Sequence, residues 1–343
     1  MTGREITSDL RAEVFGRCQT AIPAWRDLSV DVARFDPPKG FSSFTMGVHV
    51  QADVEPRSVL YRHLDGKENA ILDGANERDV FLSLGDAEIA PRCLAYESDH
   101  RIEQFYAGRT LTADDVFDPA IQRGVAEQLH RLHQHDPGPL PEATYFELLH
   151  DKWGRLARQV LDHERHRFPA DEAALCDDLY AALEPEVLDM AMRCLPRGEP
   201  TFCHNDTYHG NVFLLDDGSV RLLDFEFACR NHIAFDFANF FAETVMLHGF
   251  DEPPHFRIGE PRFTDHDLGS MIGHYVGLDA APDPARVDRL VAETRRAIIL
   301  SDLMYTLAAI PLAVEPVQRI RFIPYAHQRF EKFRRSWAKE FGG

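Results

Sequence analysis

Residues 200–228 read PTFCHNDTYHGNVFLLDDGSVRLLDFEFA and carry the most informative pattern in the chain. The apolar runs VFLL and VRLL flank the residues DDG at 216–218, and an Asp-Gly turn between apolar runs is a strong signal of a β-hairpin. Polar side chains stand at both ends of this hairpin, because Asp206 and Asn211 precede it and Asp224 follows it directly. The sequence therefore predicts a hairpin that gathers two carboxylates and one amide.

These residue types suit the transfer of a phosphoryl group to a hydroxyl. A carboxylate can orient the hydroxyl and accept its proton, and carboxylate and amide oxygens are ligands that Mg2+ accepts. Magnesium also offsets the negative charge of the phosphoryl group. Asp206 and Asn211 form an Asp-x4-Asn loop, and Asp224 supplies a carboxylate for the metal. The alternative is that these side chains only cap turns of the hairpin.

The first hundred or so residues predict a small lobe rich in β-structure. An amphipathic helix is expected over about residues 8–21, followed by five strand-like runs with one short helix, at about 77–84, among them. We predict that this N-terminal lobe covers residues 1–106.

The pattern changes to helices from about residue 113. Long amphipathic runs predict helices over 146–168 and over 171–195, and a Pro-rich loop is expected near 251–262. We predict that residues 107–343 form a larger, mainly helical lobe for catalysis and substrate binding. The expected fold class is therefore α+β, in a bilobal arrangement.

Composition limits the partners of the protein. The chain has 343 residues and a formal net charge of −19, so nucleic acid and membranes are poor partners, whereas a cationic or neutral small molecule fits. Six scattered cysteines without a C-x-x-C pair indicate reduced thiols. The first residues lack the apolar core of a signal peptide, which predicts a cytoplasmic protein with no membrane insertion.

The hairpin and the residues after it resemble the choline/ethanolamine kinase family, within the aminoglycoside phosphotransferase group of the protein-kinase-like superfamily. The matching stretches are HNDTYHGN at 204–211 and LLDFEFACRNHIAFDFANFFAE at 222–243. The resemblance implies a protein-kinase-like fold. It also implies that Asp206 is the catalytic base, assisted by Asn211, and that Asn211 and Asp224 bind magnesium.

The resemblance extends to the N-terminal lobe and implies that this lobe, residues 1–106, binds the nucleotide ATP. The run VLYRHLDGKENAIL at 59–72 is similar to the family strand in which an arginine replaces the usual kinase lysine. Arg62 would then contact the ATP phosphates and pair with Glu77. The residues that the resemblance assigns to the nucleotide are Ser42, Ser43, Arg62, Glu77, Gln104, Tyr106 and Asp224.

The acceptor site departs from the family pattern. Aromatic rings line the choline site of the family and suit a quaternary ammonium. In SDLMYTLAAI at 301–310, where the family has two tryptophans, this chain has Tyr305 and Ala308. For Tyr305 and Tyr325, simple packing in the core is an equally good interpretation. A buried Glu243 would need a partner for its carboxylate, and the ammonium group of a substrate would serve as that partner. The predicted acceptor residues are Asp206, Glu226, Phe227, Glu243, Tyr305 and Tyr325.

Together these observations predict a small-molecule kinase. The predicted reaction transfers phosphate from ATP, with Mg2+, to the hydroxyl of a choline- or ethanolamine-type amino alcohol. Two alternatives stay open: an aminoglycoside- or sugar-type phosphotransferase, and a nucleotide-binding protein without activity. The sequence does not decide the oligomeric state, so a homodimer also stays open.

Histidines outside this pattern receive structural interpretations. His130, His133 and His135 suggest a metal site, but they lie at the end of an amphipathic helix, which favours a structural role. His204 lies beside the predicted base, and the family resemblance makes it a brace of the loop and not a base.

Overall fold

The structure, a computed structural model, describes residues 6–38, 44–64, 74–248, 250–279, 283–315 and 320–342. The chain divides into two compact units, Met1–Gly108 and Arg109–Gly343. The first unit is built on a β-sheet, and the second is larger and mainly helical. The predicted α+β fold class is confirmed. The assignment of nucleotide binding and catalysis to separate lobes stays a prediction.

An antiparallel sheet forms the framework of the first unit. Its strands are β1 (Ala33–Phe35), β2 (Thr45–Val50), β3 (Ser58–His63), β4 (Cys93–Tyr96) and β5 (His100–Gln104). Their spatial order is β1-β2-β3-β5-β4. Val48 lies opposite Val59, and Tyr61 lies opposite Ile102, with all four side chains buried. Because side chains alternate along a strand, these residues define the core-facing side of the sheet.

Two helices accompany the sheet. Helix α1 (Ser8–Ala21) buries Val14, Phe15 and Cys18, which belong to the same apolar cluster as the central strands. Helix α2 (Gly74–Asp86) lies between β3 and β4 in the chain, where the sequence predicts a short helix. The predicted five strands and embedded helix are therefore found, with β1 shorter than its strand-like run.

The predicted hairpin is present in the second unit. Strand β8 (Val212–Leu215) pairs with β9 (Val220–Leu222), and β6 (Gly108–Thr110) completes a sheet of three strands. Gly218 closes the turn with a φ of 85°. Glycine adopts this left-handed conformation without steric cost, which explains the Asp-Gly signal in the sequence.

A second ribbon, which the sequence analysis missed, lies on either side of the hairpin in the chain. Strand β7 (Thr201–Cys203) pairs antiparallel with β10 (Cys229–Asn231), and Cys203 lies opposite Cys229. Because β7 leads into residues 204–211 and β10 follows residues 223–228, this pairing brings the bases of the two polar loops together.

Helices make up most of the second unit. They are α3 (Pro119–His133), α4 (Tyr145–His163), α5 (Ala170–Tyr180), α6 (Pro185–Cys194), α7 (Ile233–Ala242), α8 (Asp265–Gly277), α9 (Pro284–Leu312) and α10 (Phe322–Phe341). Every residue of α7 from Ala234 to Ala242 is buried, and α7, α4 and α10 all pack against α9. Helix α7 is therefore a core helix, and it follows directly from the polar loops.

The prediction of one long helical run over 171–195 is wrong. The run is divided into α5 and α6 by a short turn, and Glu184 has an extended conformation with a ψ of 150°. Pro185 explains the break, because proline lacks an N–H group and disfavours a helical conformation in the residue before it.

The predicted Pro-rich loop near 251–262 contains a short strand. Strand β12 (Phe256–Ile258) lies within it and pairs with β11 (Met246–His248).

Within the described part of the chain, none of the helices has the length and apolarity that crossing a membrane requires.

Candidate active site

The buried carboxylate of Asp236, at the start of α7, anchors the loop that follows β7. Its Oδ2 accepts a hydrogen bond of 2.8 Å from the backbone N–H of His204, and its Oδ1 accepts one of 2.7 Å from that of Asn205. Asn205 has a φ of 68°, a left-handed conformation that asparagine tolerates better than most residues. The loop that carries Asp206 is therefore fixed by a charged group from the helical core.

Asn205 and His204 connect this loop to the loop after β9. The Asn205 Nδ2 donates to the carbonyl oxygen of Phe227 at 2.8 Å, and its Oδ1 accepts from Asn231 Nδ2 at 2.7 Å. His204 Nε2 lies 2.9 Å from the carbonyl oxygen of Leu223. Burial lowers the pKa of His204, so the neutral imidazole is favoured. These contacts support its predicted role as a brace.

Asp206 presents a partly exposed carboxylate with both oxygens engaged. Oδ2 accepts a hydrogen bond of 2.8 Å from Asn211 Nδ2, and Oδ1 accepts one of 3.3 Å from the hydroxyl of Tyr305. Burial raises the pKa of Asp206 to about 7, with further contributions from the charges of Asp224 and Glu243. A carboxyl group with a pKa near neutral can both take up and release a proton, as a general base must.

A backbone hydrogen bond connects the two segments that carry the predicted metal ligands Asn211 and Asp224. The N–H of Leu223, which precedes Asp224, donates to the carbonyl oxygen of Asn211 at 2.8 Å. Because the Asn211 nitrogen donates to Asp206, its amide oxygen is the atom that it can offer to a cation. Asp224 adds a carboxylate whose charge acts on Asp206. This oxygen donor set fits magnesium, which would offset the accumulated negative charge.

Glu226 and Phe227 lie on the short helical turn Phe225–Phe227, directly after Asp224. Both side chains are half-buried, and the Phe227 ring packs against the ring of Tyr145 with centroids 6.2 Å apart. The turn therefore holds two of the predicted acceptor residues beside the predicted metal ligand. Their role in substrate binding stays a prediction.

In the first unit, Arg62 belongs to a buried ionic cluster. Arg62 on β3 lies opposite Arg101 on β5, and the Nε atoms of both approach Glu103 Oε1, at 3.2 Å and 2.5 Å. Arg101 Nη1 lies 3.9 Å from Glu77 Oε1. Sequence analysis missed Arg101 and Glu103, although a charged pair two residues apart on one strand face is a usable signal. The predicted pairing of Arg62 with Glu77 stays a prediction.

Two further predicted nucleotide residues, Gln104 and Tyr106, lie at and just after the end of β5. Gln104 is exposed at the end of β5, where its Oε1 accepts a hydrogen bond of 3.4 Å from the N–H of Arg92. Tyr106, two residues later, is half-buried. Ser42 and Ser43 lie outside the described residues.

Glu243, at the end of α7, pairs with a positively charged side chain of the protein itself. Both of its carboxylate oxygens lie 2.7 Å from Arg329 Nη2 of α10. Arg329 Nη1 donates to Asp302 at 2.8 Å, and Lys332 Nζ approaches Asp302 at 2.7 Å. Arg329 has no exposed surface. The sequence analysis expected an ammonium substrate to serve this acid, whereas Arg329 already neutralises it.

The same guanidinium lies against two predicted acceptor residues. Its central carbon lies 4.8 Å from the ring centroid of Tyr305 and 5.2 Å from that of Tyr325. Its Nε donates to the Tyr325 hydroxyl at 3.0 Å. The structure therefore brings Glu243, Tyr305 and Tyr325 together, but around Arg329. Arg329 was missed because nothing local in YAHQRFEKF shows that its arginine is buried.

His133 supports the structural interpretation of the histidines at the end of α3. Its Nδ1 lies 2.8 Å from the hydroxyl of Tyr275, and its Nε2 lies 3.0 Å from Asp236 Oδ2. Among the described residues, His133, Cys203 and Asp236 bring three potential metal-ligand atoms within 4.8 Å of one another. The ring nitrogens of His133 and the carboxylate of Asp236 already have hydrogen-bond partners, so His133 braces Asp236.

Comparison with known proteins decides the family. A family model described as choline/ethanolamine kinase matches residues 39–334. The chain belongs to the choline/ethanolamine kinase family. It is 26% identical over 282 residues to the probable choline kinase 2 of Arabidopsis thaliana, covering 81% of this chain and 77% of the relative. It is 24% identical over 331 residues to the choline/ethanolamine kinase of Homo sapiens, covering 90% and 81%.

Solved structures of a choline kinase, an ethanolamine kinase and an aminoglycoside phosphotransferase share the fold. A choline kinase from Cryptosporidium parvum matches with a TM-score of 0.80 at 19% identity, over 96% of this chain and 95% of that chain. An ethanolamine kinase from Plasmodium vivax matches with a TM-score of 0.70 at 21% identity, over 98% of both chains. An ADP-bound aminoglycoside phosphotransferase matches with a TM-score of 0.59 at 13% identity, over 94% and 99%.

Membership of the choline/ethanolamine kinase family confirms two predictions. The chain has the protein-kinase-like fold, and it is a small-molecule kinase. The roles of individual residues stay predictions. Asp236 and Arg329 also belong to the site. Neither residue was assigned to the acceptor site or to the metal site from the sequence.

Proposed function

We propose that this member of the choline/ethanolamine kinase family transfers the γ-phosphate of ATP to the hydroxyl of a small amino alcohol, in a reaction that requires Mg2+. The observation that carries the proposal is the Asp206 carboxylate, which is held by Asn211 and has a pKa of about 7. It combines the geometry and the proton affinity of a general base with an adjacent set of oxygen donors for magnesium.

In this reaction Asp206 accepts the proton of the acceptor hydroxyl. The hydroxyl oxygen forms a bond to the γ-phosphorus, the bond from that phosphorus to the β–γ bridging oxygen breaks, and ADP leaves. Asn211 orients the carboxylate through its hydrogen bond to Oδ2. The backbone contacts of Asp236 keep the loop of Asp206 in one conformation. This rigidity lowers the cost of aligning the acceptor, which is a large part of catalysis in phosphoryl transfer.

The amide oxygen of Asn211 and the carboxylate of Asp224 would hold magnesium. When bound there, the ion supplies positive charge that offsets the charge of the phosphates. The strongest support in this chain is the effect of the Asp224 charge on the pKa of Asp206. Such accumulated negative charge is a natural position for a divalent cation.

ATP binding is supported by two similar proteins and by the cluster around Arg62. LicA, a choline kinase from Streptococcus pneumoniae, matches in its complex with AMP with a TM-score of 0.57 at 13% identity. The similar aminoglycoside phosphotransferase contains ADP. We propose that Arg62, Glu77, Gln104 and Tyr106 contact the nucleotide, with the remaining predicted contacts at Ser42, Ser43 and Asp224.

A cationic acceptor is supported by charge. The protein has a formal net charge of −19, and Asp206, Asp224 and Glu226 contribute carboxylates near the reacting position. An ammonium group is attracted to such a field. The names of the similar proteins suggest choline and ethanolamine as the first acceptors to test.

A coupled assay of ADP release tests the proposal. The wild-type protein, with ATP and Mg2+, is assayed with choline, ethanolamine and a panel of aminoglycosides, and Asp206→Asn serves as the inactive control. We expect turnover with an amino alcohol that is abolished in the variant, while ATP binding is retained. Turnover only with an aminoglycoside would replace the proposed acceptor class. ATP binding without any turnover would overturn the proposed activity.

A further inference from the structure

We propose that Tyr305 is a positioning residue, which holds the Asp206 carboxylate in its reacting orientation through its phenolic hydroxyl. The inference rests on the proposed function, because it gives Tyr305 a task in that reaction. It differs from the prediction that the Tyr305 ring lines the acceptor site.

Asp206 accepts a hydrogen bond at each of its two carboxylate oxygens. Asn211 donates to Oδ2 at 2.8 Å, and Tyr305 donates to Oδ1 at 3.3 Å. A carboxylate held at one oxygen can still rotate about the bond to its side-chain carbon. A second donor at the other oxygen, which comes from helix α9, restricts that rotation. The residue best placed to fix the plane of the base is therefore Tyr305.

The hydrogen bond from Asn239 determines where the hydroxyl hydrogen of Tyr305 points. Asn239 Nδ2, on α7, donates to the Tyr305 oxygen at 2.7 Å. A phenol has one hydrogen to donate, and an oxygen that accepts from Asn239 directs its own hydrogen elsewhere. The Asp206 oxygen is the acceptor in that direction. The chain Asn239–Tyr305–Asp206 therefore runs from the core helix to the base.

One face of the Tyr305 ring is already occupied, and the ring is fixed. The Arg329 guanidinium lies 4.8 Å from the ring centroid, where a cation is attracted to the aromatic face. Arg329 is itself held by Glu243, Asp302 and Tyr325. A face that carries a buried guanidinium is closed to the ammonium of a substrate. The hydroxyl, and not this face, is the part of Tyr305 that acts at the reacting centre.

The test removes the hydroxyl and keeps the ring. We compare wild type with Tyr305→Phe, measuring kcat and KM separately for ethanolamine, choline and ATP. Tyr180→Phe is the matched control, because Tyr180 donates to a different carboxylate, Asp162, at 2.7 Å on the surface of α5. Thermal unfolding of both variants shows whether folding is retained.

We expect Tyr305→Phe to lower kcat roughly ten- to hundredfold with each active acceptor, because the lost hydrogen bond is made to a charged group. KM for the acceptor should stay within about twofold, and Tyr180→Phe should match wild type. An unchanged kcat, or a raised KM for the acceptor with an unchanged kcat, would overturn the inference. Wild-type protein that uses neither acceptor would instead overturn the proposed function, and the inference with it.

Discussion

Arg329 shows at the level of a single residue how charge is handled inside the second unit. Burial alone would lower the pKa of Arg329, but Glu243 and Asp302 outweigh it and keep the guanidinium charged. Glu243 and Asp302 are acids, and Arg329 and Lys332 are bases, so the four charges cancel. Removing one member of such a buried set leaves an uncompensated charge, which costs far more than breaking a pair on the surface.

We therefore predict that Arg329→Met lowers the free energy of unfolding by about 3–5 kcal/mol. The matched control is Arg334→Met on the same helix, since Arg334 is exposed and pairs with Glu331 at 3.3 Å. That change should alter stability by about 0.5 kcal/mol or less. Denaturation in urea, followed by circular dichroism, measures both. Equal effects of the two changes would contradict a buried network.

The residues of the candidate site differ in how far sequence reveals them. Asp206, Asn211 and Asp224 are visible because their spacing is local to one hairpin. The pair of Glu243 and Arg329 joins residues 86 positions apart. No periodicity or turn signal records such a pairing, so the partner of Glu243 required a three-dimensional structure.

The elements that hold the site differ in the same way. The β8–β9 hairpin is predictable, because its turn needs a glycine at a left-handed position and the sequence supplies Gly218. The β7–β10 ribbon is not, because a strand of three residues is too short for an alternating pattern. Between α5 and α6 the long amphipathic run concealed a break that Pro185 marks.

The turn of the hairpin gives a prediction about backbone conformation. A side chain at Gly218 or at Gly16 of α1 would meet nothing within 4 Å, but Gly218 has a φ of 85° whereas Gly16 lies within a helix. We expect Gly218→Ala to destabilise the protein by about 1–2 kcal/mol. Gly16→Ala should stabilise it by about 0.5–1 kcal/mol.

Differential scanning fluorimetry of the two variants beside wild type measures both effects as shifts of Tm. The side chains added are identical, so a difference in sign isolates the backbone conformation as the cause. Shifts in the same direction would refute this explanation of the Asp-Gly signal.

For the whole molecule, the strongly acidic charge bears on how an acceptor reaches the site. A net charge of −19 creates a field that attracts small cations, and dissolved salt screens that field. The sign of this charge can be read from composition alone. The effect of this charge on the substrate depends on where the carboxylates of Asp206, Asp224 and Glu226 lie. Composition alone does not give those positions.

We predict that KM for choline rises about two- to fivefold between about 0.05 and 0.5 M NaCl. Its uncharged carbon analogue, 3,3-dimethyl-1-butanol, is the control, because it has the same shape without the charge. Any KM measured for that alcohol should change little over the same range. A flat KM for choline, or an equal rise for both alcohols, would show that the charge does not attract the acceptor.

The position of Arg329 in the chain has a consequence for biosynthesis. During translation Glu243 and Asp302 leave the ribosome before Arg329, so both acids precede the cation that neutralises them. Until α10 docks, water must solvate these carboxylates, and the ring of Tyr305 lacks its guanidinium. The carboxylate of Asp206, the proposed base, therefore acquires its full surroundings only after α10 has left the ribosome and docked, so a nascent chain that still lacks α10 does not carry the complete site.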